Sequence, residues 1–435
     1  MRNQPIRLLR GEEIESFLSS LQQNRESTSE QIDTAVAEIL QRVRREGDGA
    51  LFELTARFDG VDLRDVGLRV DRAELEELAG TVPAETVEAL RRAADNIRAF
   101  HERQVPESWL VCREAGVILG EKITPLRRVG LYVPGGTAAY PSTLLMTAIP
   151  AQVAGVEEIA VCTAPGRQGR ISPLVAAAVQ LLGLEEVYRV GGAQAVAALA
   201  YGTETIPPVD KVFGPGNAYV TAAKKQVFGR VGIDMLAGPS EVVLLADGTA
   251  EPAFVAADLL AQAEHDPLSV AVLVTPDAGL AADVQSELHA QLVELPRREI
   301  AEQSLGAQGA ILVTEDLVRA VAVVNRIAPE HLGIHTEDPW ALLGQIRNAG
   351  SIYLGSFAPE AVGDYWAGPN HVLPTGGSAR FSSALTVEDY VKRSNVVAYT
   401  REGLAFAADD VVRLAKAEGL VAHARAVTVR TKNGN

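Results

Sequence analysis

Hydrophobic positions in the first part of the chain recur with the spacing of an α-helix. The clearest run consists of Ile32, Val36, Ile39, Leu40 and Val43. This spacing places the apolar side chains on one helical face and predicts an amphipathic helix. Ser27 and Glu30 precede the run with the form of a capping box, which is a helix start signal. The first 105 residues or so are predicted to be mostly helical.

A different pattern begins near residue 129, where short runs rich in β-branched residues alternate with helical segments. The predicted strands are Val129–Val133, Ile159–Thr163, Val187–Val190, Val242–Ala246, Val270–Thr275, Ala310–Thr314 and Ile352–Leu354. The predicted helices are Leu174–Leu182, Ala193–Ala200, Phe254–Ala263, Leu280–Leu292 and Leu317–Ile327. Such alternation is typical of parallel α/β layers, and the two successive series predict two α/β units. The tail after Tyr390 is predicted to be largely helical, ending in an alternating segment at Ala426–Val429.

One uncharged stretch, Val129–Val156, is long enough to cross a bilayer. Prolines at 134, 141 and 150 and the pair Gly135-Gly136 interrupt it, which favours a buried strand, a loop and a helix. The N-terminus reaches Glu12 and Glu13 without the basic and apolar regions of an export signal. We expect a cytoplasmic protein with no membrane partner.

Composition narrows the possible partners. Among 435 residues, 40 Lys and Arg stand against 56 Asp and Glu, giving a formal net charge of −16. This acidic balance disfavours nucleic acid as a partner. The two cysteines, Cys112 and Cys162, have neither disulfide-framework nor zinc-finger spacing, which is consistent with a reducing compartment.

Common cofactor and hydrolase motifs are absent from the sequence. There is no P-loop, HExxH, GxSxG or kinase signature. Glycine turns follow two β-rich runs, at Gly191-Gly192 and at Gly214-Pro215-Gly216, but neither completes a GxGxxG fingerprint. Each could bring backbone N–H groups close to a phosphate, although a plain tight turn explains either one alone.

Four pairs of polar residues carry potential chemistry. Gln262 and His265 lie three apart at the end of an apolar helix, where they could bind zinc or simply cap the helix. Glu330 and His331 follow a proline and could transfer protons or form a solvated turn. The other two pairs are Asp364 with His371, in a stiff loop that suggests a pocket, and Glu418 with His423, near the C-terminus.

Around these residues the sequence closely resembles the histidinol dehydrogenase family. The resemblance runs in order over about 300 residues and is far more specific than glycine turns alone. Its segments are Arg128–Gly136, Gly214–Glu241, Ala261–Pro267, Asn325–Leu332, Gly355–Thr375, Ala379–Ser383 and Glu418–His423.

The resemblance implies a role for each matching residue. It implies zinc, one ion per subunit, held by Gln262, His265, Asp364 and His423. It implies Glu330 and His331 as the catalytic acid/base pair, and NAD contacts at Tyr132, Gln194 and Asn217. The implied substrate-binding residues are Ser240, Gln262, His265, His331, Asp364, His371, Glu418 and His423.

The implied reaction is a four-electron oxidation of L-histidinol to L-histidine through the aldehyde, with two NAD reduced in succession. His331 is the candidate base for the alcohol, and Glu330 would activate the water that hydrates the aldehyde. The alternatives are oxidation of another small alcohol such as a sulfonated diol, a zinc hydrolase, and a non-enzymatic ligand-binding protein.

The family fold implies two incomplete Rossmann-like α/β domains, with terminal extensions exchanged in a homodimer. The implied division is an extension over residues 1–25, a first domain over 26–131 plus 240–381, a second over 132–239, and a C-terminal extension over 382–435. Glu418 and His423 would then reach the active site of the partner subunit.

Overall fold

The computed structural model describes residues 5–26, 30–113, 116–135 and 140–431. Its strands are β1 (Arg7–Arg10), β2 (Trp109–Arg113), β3 (Val117–Pro125), β4 (Arg128–Val133), β5 (Glu158–Thr163), β6 (Glu186–Tyr188), β7 (Lys211–Phe213), β8 (Gly232–Ile233), β9 (Glu241–Ala246), β10 (Val270–Thr275), β11 (Ala310–Val313), β12 (His331–His335), β13 (Ser351–Leu354) and β14 (Val391–Tyr399). Its helices are α1 (Glu12–Glu26), α2 (Glu30–Glu46), α3 (Asp48–Phe58), α4 (Arg72–Ala79), α5 (Ala84–His101), α6 (Pro141–Ala154), α7 (Pro173–Leu181), α8 (Gly192–Tyr201), α9 (Ala218–Val227), α10 (Pro252–Ala263), α11 (Ala278–Leu292), α12 (Arg298–Ala307), α13 (Leu317–Ile327), α14 (Pro339–Leu343), α15 (Glu360–Val362), α16 (Arg401–Ala417) and α17 (Val421–Thr431).

Six parallel strands form the larger sheet, in the order β1-β11-β10-β9-β12-β13. Helices α10, α11 and α12 cover one face, and α1 and α13 cover the other. Because both faces are buried, the inner strands are apolar without alternation, as β10 is from Val270 to Val274. The chain winds from β9 to one side through β10 and β11, then returns to the other side at β12.

Five parallel strands form the second sheet, in the order β6-β5-β4-β7-β8. Helices α2, α3, α8 and α9 share one core cluster with this sheet, and α4 to α7 share the other. Residues 26–131, which the implied division assigns to the first domain, thus include helices that pack on this sheet and, in β4, its central strand. The division into domains stays a prediction.

A small antiparallel sheet, β14-β3-β2, carries the last part of the chain. Strand β14 pairs with β3 from Val391 against Pro125 to Tyr399 against Val117. Helix α16 packs on β14, and α17 packs on α16. The predicted helical tail therefore begins with a strand, and the alternating segment Ala426–Val429 lies within helix α17.

The structure confirms the α/β class and most of the predicted elements. The amphipathic run near residue 36 is α2, while the capping residue predicted for it, Ser27, lies outside the described residues. The apolar stretch Val129–Val156 contains β4 and α6, with residues 136–139 outside the described part. Over the described residues, no helix combines the length and the apolar character needed to span a bilayer.

Candidate active site

Glu330 and His331 lie at the start of β12, where the chain leaves helix α13. Ala328 ends that helix in the left-handed region, with φ 50° and ψ 61°, and Pro329 follows it. A non-glycine residue in this region is strained, and such strain concentrates at functional positions. Both Glu330 and His331 are buried, with 6% and 4% of their surface exposed. The solvated-turn interpretation of this pair is therefore wrong.

The backbone of Glu241, the first residue of β9, contacts both members of the pair. Its N–H donates to Oε2 of Glu330 at 2.9 Å. Its carbonyl oxygen lies 3.1 Å from Nδ1 of His331. Because a carbonyl oxygen can only accept, Nδ1 carries a proton and donates it. The hydrogen bond therefore fixes the tautomer of His331 and leaves Nε2 for chemistry.

Nε2 of His331 is buried and has no hydrogen-bond partner among the described residues. Oδ1 of Asp364 lies 3.7 Å from it, and Oε1 of Glu360 lies 3.6 Å from Nδ1. These three side chains offer ligand atoms within 4.8 Å of one another, which is close enough to share a metal ion. Asp364 lies in a π-helical turn, Gly363–Ala367, a geometry frequent at functional sites.

Burial and like charge govern the electrostatics of this cluster. Burial raises the pKa of Glu330 to about 8 and that of Glu360 to about 7, in each case against the opposing charge of His331. Burial alone would lower the pKa of His331, but the surrounding carboxylates, Glu360 foremost, raise it to about 10. The cluster has more carboxylates than cationic groups, so it favours a bound proton or metal cation.

Gln262 and His265 reach the same cluster from the end of α10. With its amide nitrogen towards Glu360, Gln262 donates to the two carboxylate oxygens at 2.9 and 3.2 Å, and its oxygen remains available as a ligand. The charges of His265 and Asp364 influence each other, which places the two side chains in one neighbourhood. Gln262 is fully buried, whereas His265 is exposed in the single chain.

His371 connects the cluster to the second sheet. Its Nδ1 lies 3.0 Å from the carbonyl oxygen of Asp364, and its Nε2 lies 3.4 Å from Oγ1 of Thr143 in the first turn of α6. Ser240 immediately precedes Glu241 and is half-buried. The amino ends of β9 and β12 therefore face the carboxyl end of β4, which α6 follows.

The predicted cofactor residues lie at that carboxyl end. The Tyr132 hydroxyl accepts a 3.2 Å hydrogen bond from the N–H of Gly192, at the start of α8. Gln194 is buried in the first turn of α8, and Asn217 caps α9 by accepting from the N–H groups of residues 219 and 220. At Gly214, with φ 113°, an added Cβ would lie only 2.1 Å from the Tyr132 carbonyl oxygen, so glycine is required there.

Glu418 and His423 are the two predicted site residues that the single chain keeps apart from the cluster. Both are exposed, in the segment that joins α16 to α17 and in α17 itself. Among the described residues, no hydrogen bond or ion pair links His423 to Asp364.

Three residues in or next to this cluster received no role from the sequence. Glu360 occurs in a matched segment but was given no function, although it lies between Gln262 and His331. Glu241 likewise ends a matched segment, and Arg25, which pairs with it, lies in the N-terminal extension. The available signal was the position of Glu360 and Glu241 within matched segments, whereas Arg25 lies outside all of them.

Two parallel α/β sheets, with a buried cluster of acid and imidazole groups between their strand ends, define an α/β enzyme. A family model described as histidinol dehydrogenase matches residues 22–431. A histidinol dehydrogenase of Geobacillus kaustophilus is 55% identical over 415 residues, covering 95% of this chain and 97% of the relative. One of Moorella thermoacetica is 55% identical over 401 residues, covering 92% and 95%.

The solved structures agree with these sequence matches. A crystal structure of histidinol dehydrogenase from Elizabethkingia anophelis matches with a TM-score of 0.93 at 36% identity, covering 99% of each chain. The chain belongs to the histidinol dehydrogenase family.

Proposed function

We propose that the protein oxidises L-histidinol to L-histidine through L-histidinaldehyde, as a step of histidine biosynthesis, with NAD as the oxidant. The observation that carries the proposal is the buried pair Glu330 and His331. The Glu241 carbonyl oxygen holds Nδ1 of His331, so that its unpartnered Nε2 faces the carboxylate cluster. The names of the relatives favour histidinol over a sulfonated diol or another alcohol.

His331 and Glu330 divide the proton transfers in this proposal. An alcohol proton is weakly acidic, so departure of a hydride from carbon requires a base to take the hydroxyl proton, and Nε2 of His331 takes that role in the neutral imidazole. The carboxylates alone would keep His331 protonated near neutral pH, whereas a dication bound among them would oppose their charge and lower the pKa of His331. Glu330 would take a proton from the water that adds to the aldehyde. Its raised pKa, about 8, suits a group that both accepts and returns protons near neutral pH.

The donor set of the cluster fits a zinc ion. Gln262, His265 and Asp364 supply oxygen and nitrogen atoms from one chain, and the excess of buried carboxylates favours a dication. When bound, zinc would anchor the substrate through its nitrogen atoms without changing oxidation state. Both cysteines are free and take no part, since Cys112 is exposed on β2 and Cys162 is buried within β5.

NAD fits the crevice beside β4. In an open parallel sheet, ligands bind at the carboxyl ends of the strands where the winding direction reverses. Strands β4 and β7 are neighbours at such a reversal, since the chain goes from β4 through β5 and β6, then returns to β7. Tyr132 ends β4 and Asn217 follows β7, so both lie at the reversal. The N-termini of α8 and α9 also point there and favour a pyrophosphate.

The remaining predicted residues, Glu418 and His423, would come from a second copy of the chain. Large apolar side chains are exposed on the small sheet and the tail that follows it, which is expected of a surface covered by a partner. Those side chains are Trp109, Leu110, Val111, Ile118, Val397, Tyr399, Phe406, Leu414, Leu420 and Val421. We infer a cytoplasmic homodimer in which each active site combines two chains.

The decisive experiment measures NADH formed per histidinol consumed by the purified protein, before and after treatment with a chelator. We expect two NADH per histidinol, loss of activity on chelation, and its return with added zinc. One NADH per histidinol would mean that the reaction stops at the aldehyde. Absence of NADH would refute the proposal and would leave a hydrolase or a binding protein.

Mixing tests the composite site. Inactive His331→Asn and His423→Ala chains are unfolded together, refolded, and assayed. In a mixed dimer one of the two sites receives both wild-type residues, so random pairing restores about a quarter of wild-type activity. If mixed dimers form and remain inactive, the two residues act within one chain.

A further inference from the structure

Arg25, at the end of α1, forms an ion pair with the residue that holds the catalytic pair. Its Nε donates to Oε1 of Glu241 at 2.9 Å, and its Nη2 lies 2.8 Å from the same oxygen. The Glu241 side chain is 3% exposed and that of Arg25 15% exposed. Two ionised groups so far removed from water need their partner, because either one alone would be a buried, uncompensated charge.

A third nitrogen of Arg25 bonds to the other side of the catalytic pair. Its Nη1 donates to the carbonyl oxygen of Ile327 at 2.9 Å, three residues before Glu330. The guanidinium group thus joins the start of β9 to the end of α13. The backbone of Glu241 in turn bonds to both Glu330 and His331. The guanidinium group of Arg25 therefore connects the helix that precedes Glu330 and His331 to the strand that lies beside them.

The surroundings of Arg25 are shaped to the guanidinium group. An added Cβ at Gly377 would lie 2.8 Å from Nη1, and Gly377 has a φ of +75°, so this loop passes close to the arginine. Lysine could not reproduce the contacts, because its single nitrogen cannot occupy the positions of three arginine nitrogens.

On these contacts, and resting on the proposed catalytic role of Glu330 and His331, we infer that Arg25 and Glu241 are positioning residues for the oxidation. The Arg25–Glu241 pair keeps the Glu241 backbone where it fixes the tautomer of His331 and the orientation of Glu330. Displacement of a reacting group by even 1 Å can cost about 100-fold in rate.

A purely structural role for Arg25, in docking α1, is separable from this inference. Helix α1 is also attached by Glu15, which pairs with Arg319 and Arg326 of α13 at 2.6 and 2.7 Å. Its apolar residues Phe17 and Leu21 belong to the same core cluster as α13. Glu15→Gln therefore weakens the same attachment without touching Glu241, which makes it the matched control.

The test uses the zinc-loaded dimer and measures kcat, KM for histidinol and metal content from initial rates of NADH formation. We expect Arg25→Met to lower kcat about tenfold or more, with KM within about twofold and full metal content, because binding groups stay in place. Arg25→Lys is expected to fall between this variant and wild type, and Glu15→Gln to retain wild-type kcat.

Two results would overturn the inference. One is a wild-type kcat in Arg25→Met, and the other is an equal loss in Arg25→Met and Glu15→Gln. If Arg25→Met does not fold, Arg25→Lys decides: reduced kcat at unchanged KM supports the inference, and wild-type kcat overturns it. His331→Asn, assayed in parallel, distinguishes a failure of the proposed function from a failure of the positioning role alone. Full kcat in that variant refutes the proposed function itself, whereas loss there with normal Arg25 variants refutes only the positioning role.

Discussion

Lys224 and Asp234 form a buried ion pair whose disruption gives a sharp test of the fold around the cofactor crevice. Their side chains are 2% and 0% exposed. Each side chain also bonds to the backbone of Gly214. Lys224 Nζ donates to the Gly214 carbonyl oxygen at 2.9 Å, and the Gly214 N–H donates to Oδ2 of Asp234 at 2.8 Å. The ion pair therefore holds both backbone groups of Gly214, the residue that follows β7.

Replacement of Lys224 by Met keeps the volume and the helix but removes the charge. Asp234 is then an uncompensated carboxylate in the interior, and the Gly214 carbonyl loses its donor. Breaking a buried pair from one side costs ~3–5 kcal/mol. That is a large share of the ~5–15 kcal/mol by which typical proteins are stable.

The assay is urea unfolding followed by circular dichroism, at one fixed protein concentration because dimerisation affects apparent stability. The matched control is Lys225→Met, the next residue of the same helix, whose pair with Asp33 is half-exposed. We expect Lys225→Met to lower the free energy of unfolding by only ~0–1 kcal/mol. Adding Asp234→Asn to Lys224→Met removes the uncompensated charge while keeping an acceptor for Gly214, so it should recover part of the loss. Equal effects of Lys224→Met and Lys225→Met would refute the reasoning.

Three further predictions concern side chains outside the proposed catalytic pair. Burial raises the pKa of Asp59 from 3.8 to about 6, so the folded chain binds this proton more tightly and loses stability as pH rises from about 4 to about 7. Asp59→Asn should therefore raise the free energy of unfolding by ~1–2 kcal/mol near pH 8, allowing for solvent screening, and add nothing below about pH 4; a gain independent of pH would contradict this. Ala328→Gly relieves a left-handed φ of 50° but removes a fully buried methyl group and adds freedom to the unfolded chain, so the free energy of unfolding in urea should change by less than ~0.5 kcal/mol. Ala322→Gly, on the exposed face of the same helix, should lose ~1 kcal/mol, and a similar loss at residue 328 would argue against strain. The double variant Cys112→Ser, Cys162→Ala should retain its full zinc content by metal analysis, whereas loss of zinc would contradict the proposed oxygen and nitrogen ligands.

The spacing of apolar residues along the chain was sufficient to predict the strands and helices whose buried positions recur regularly. Strand β10 is buried at every position and apolar from Val270 to Val274, and α2 is apolar on one face. Both were predictable because burial in a parallel sheet or on a helical face sets the pattern. Strand β14 was not predictable in this way. Its residues are mostly exposed in the single chain and carry Lys392, Arg393 and Ser394, so no apolar alternation marks them. Pairing with β3, far away in the sequence, makes it a strand.

The same distinction limits what a sequence reveals about the active site. Adjacent Glu330 and His331 could be proposed as an acid/base pair from their chemistry, but their sequence neighbours do not determine which nitrogen of the imidazole is reactive. The carbonyl oxygen that decides it belongs to Glu241, 90 residues earlier, and the cation that pairs with Glu241 is a further 216 residues back. Neither separation leaves a periodic signal, because the first contact joins two neighbouring parallel strands and the second joins a strand to the end of a helix from a distant part of the chain. An acid/base pair was therefore predictable from two neighbouring residues. Which imidazole nitrogen of His331 is left free depends on the pairing of β9 with β12, in which His331 lies opposite Val242.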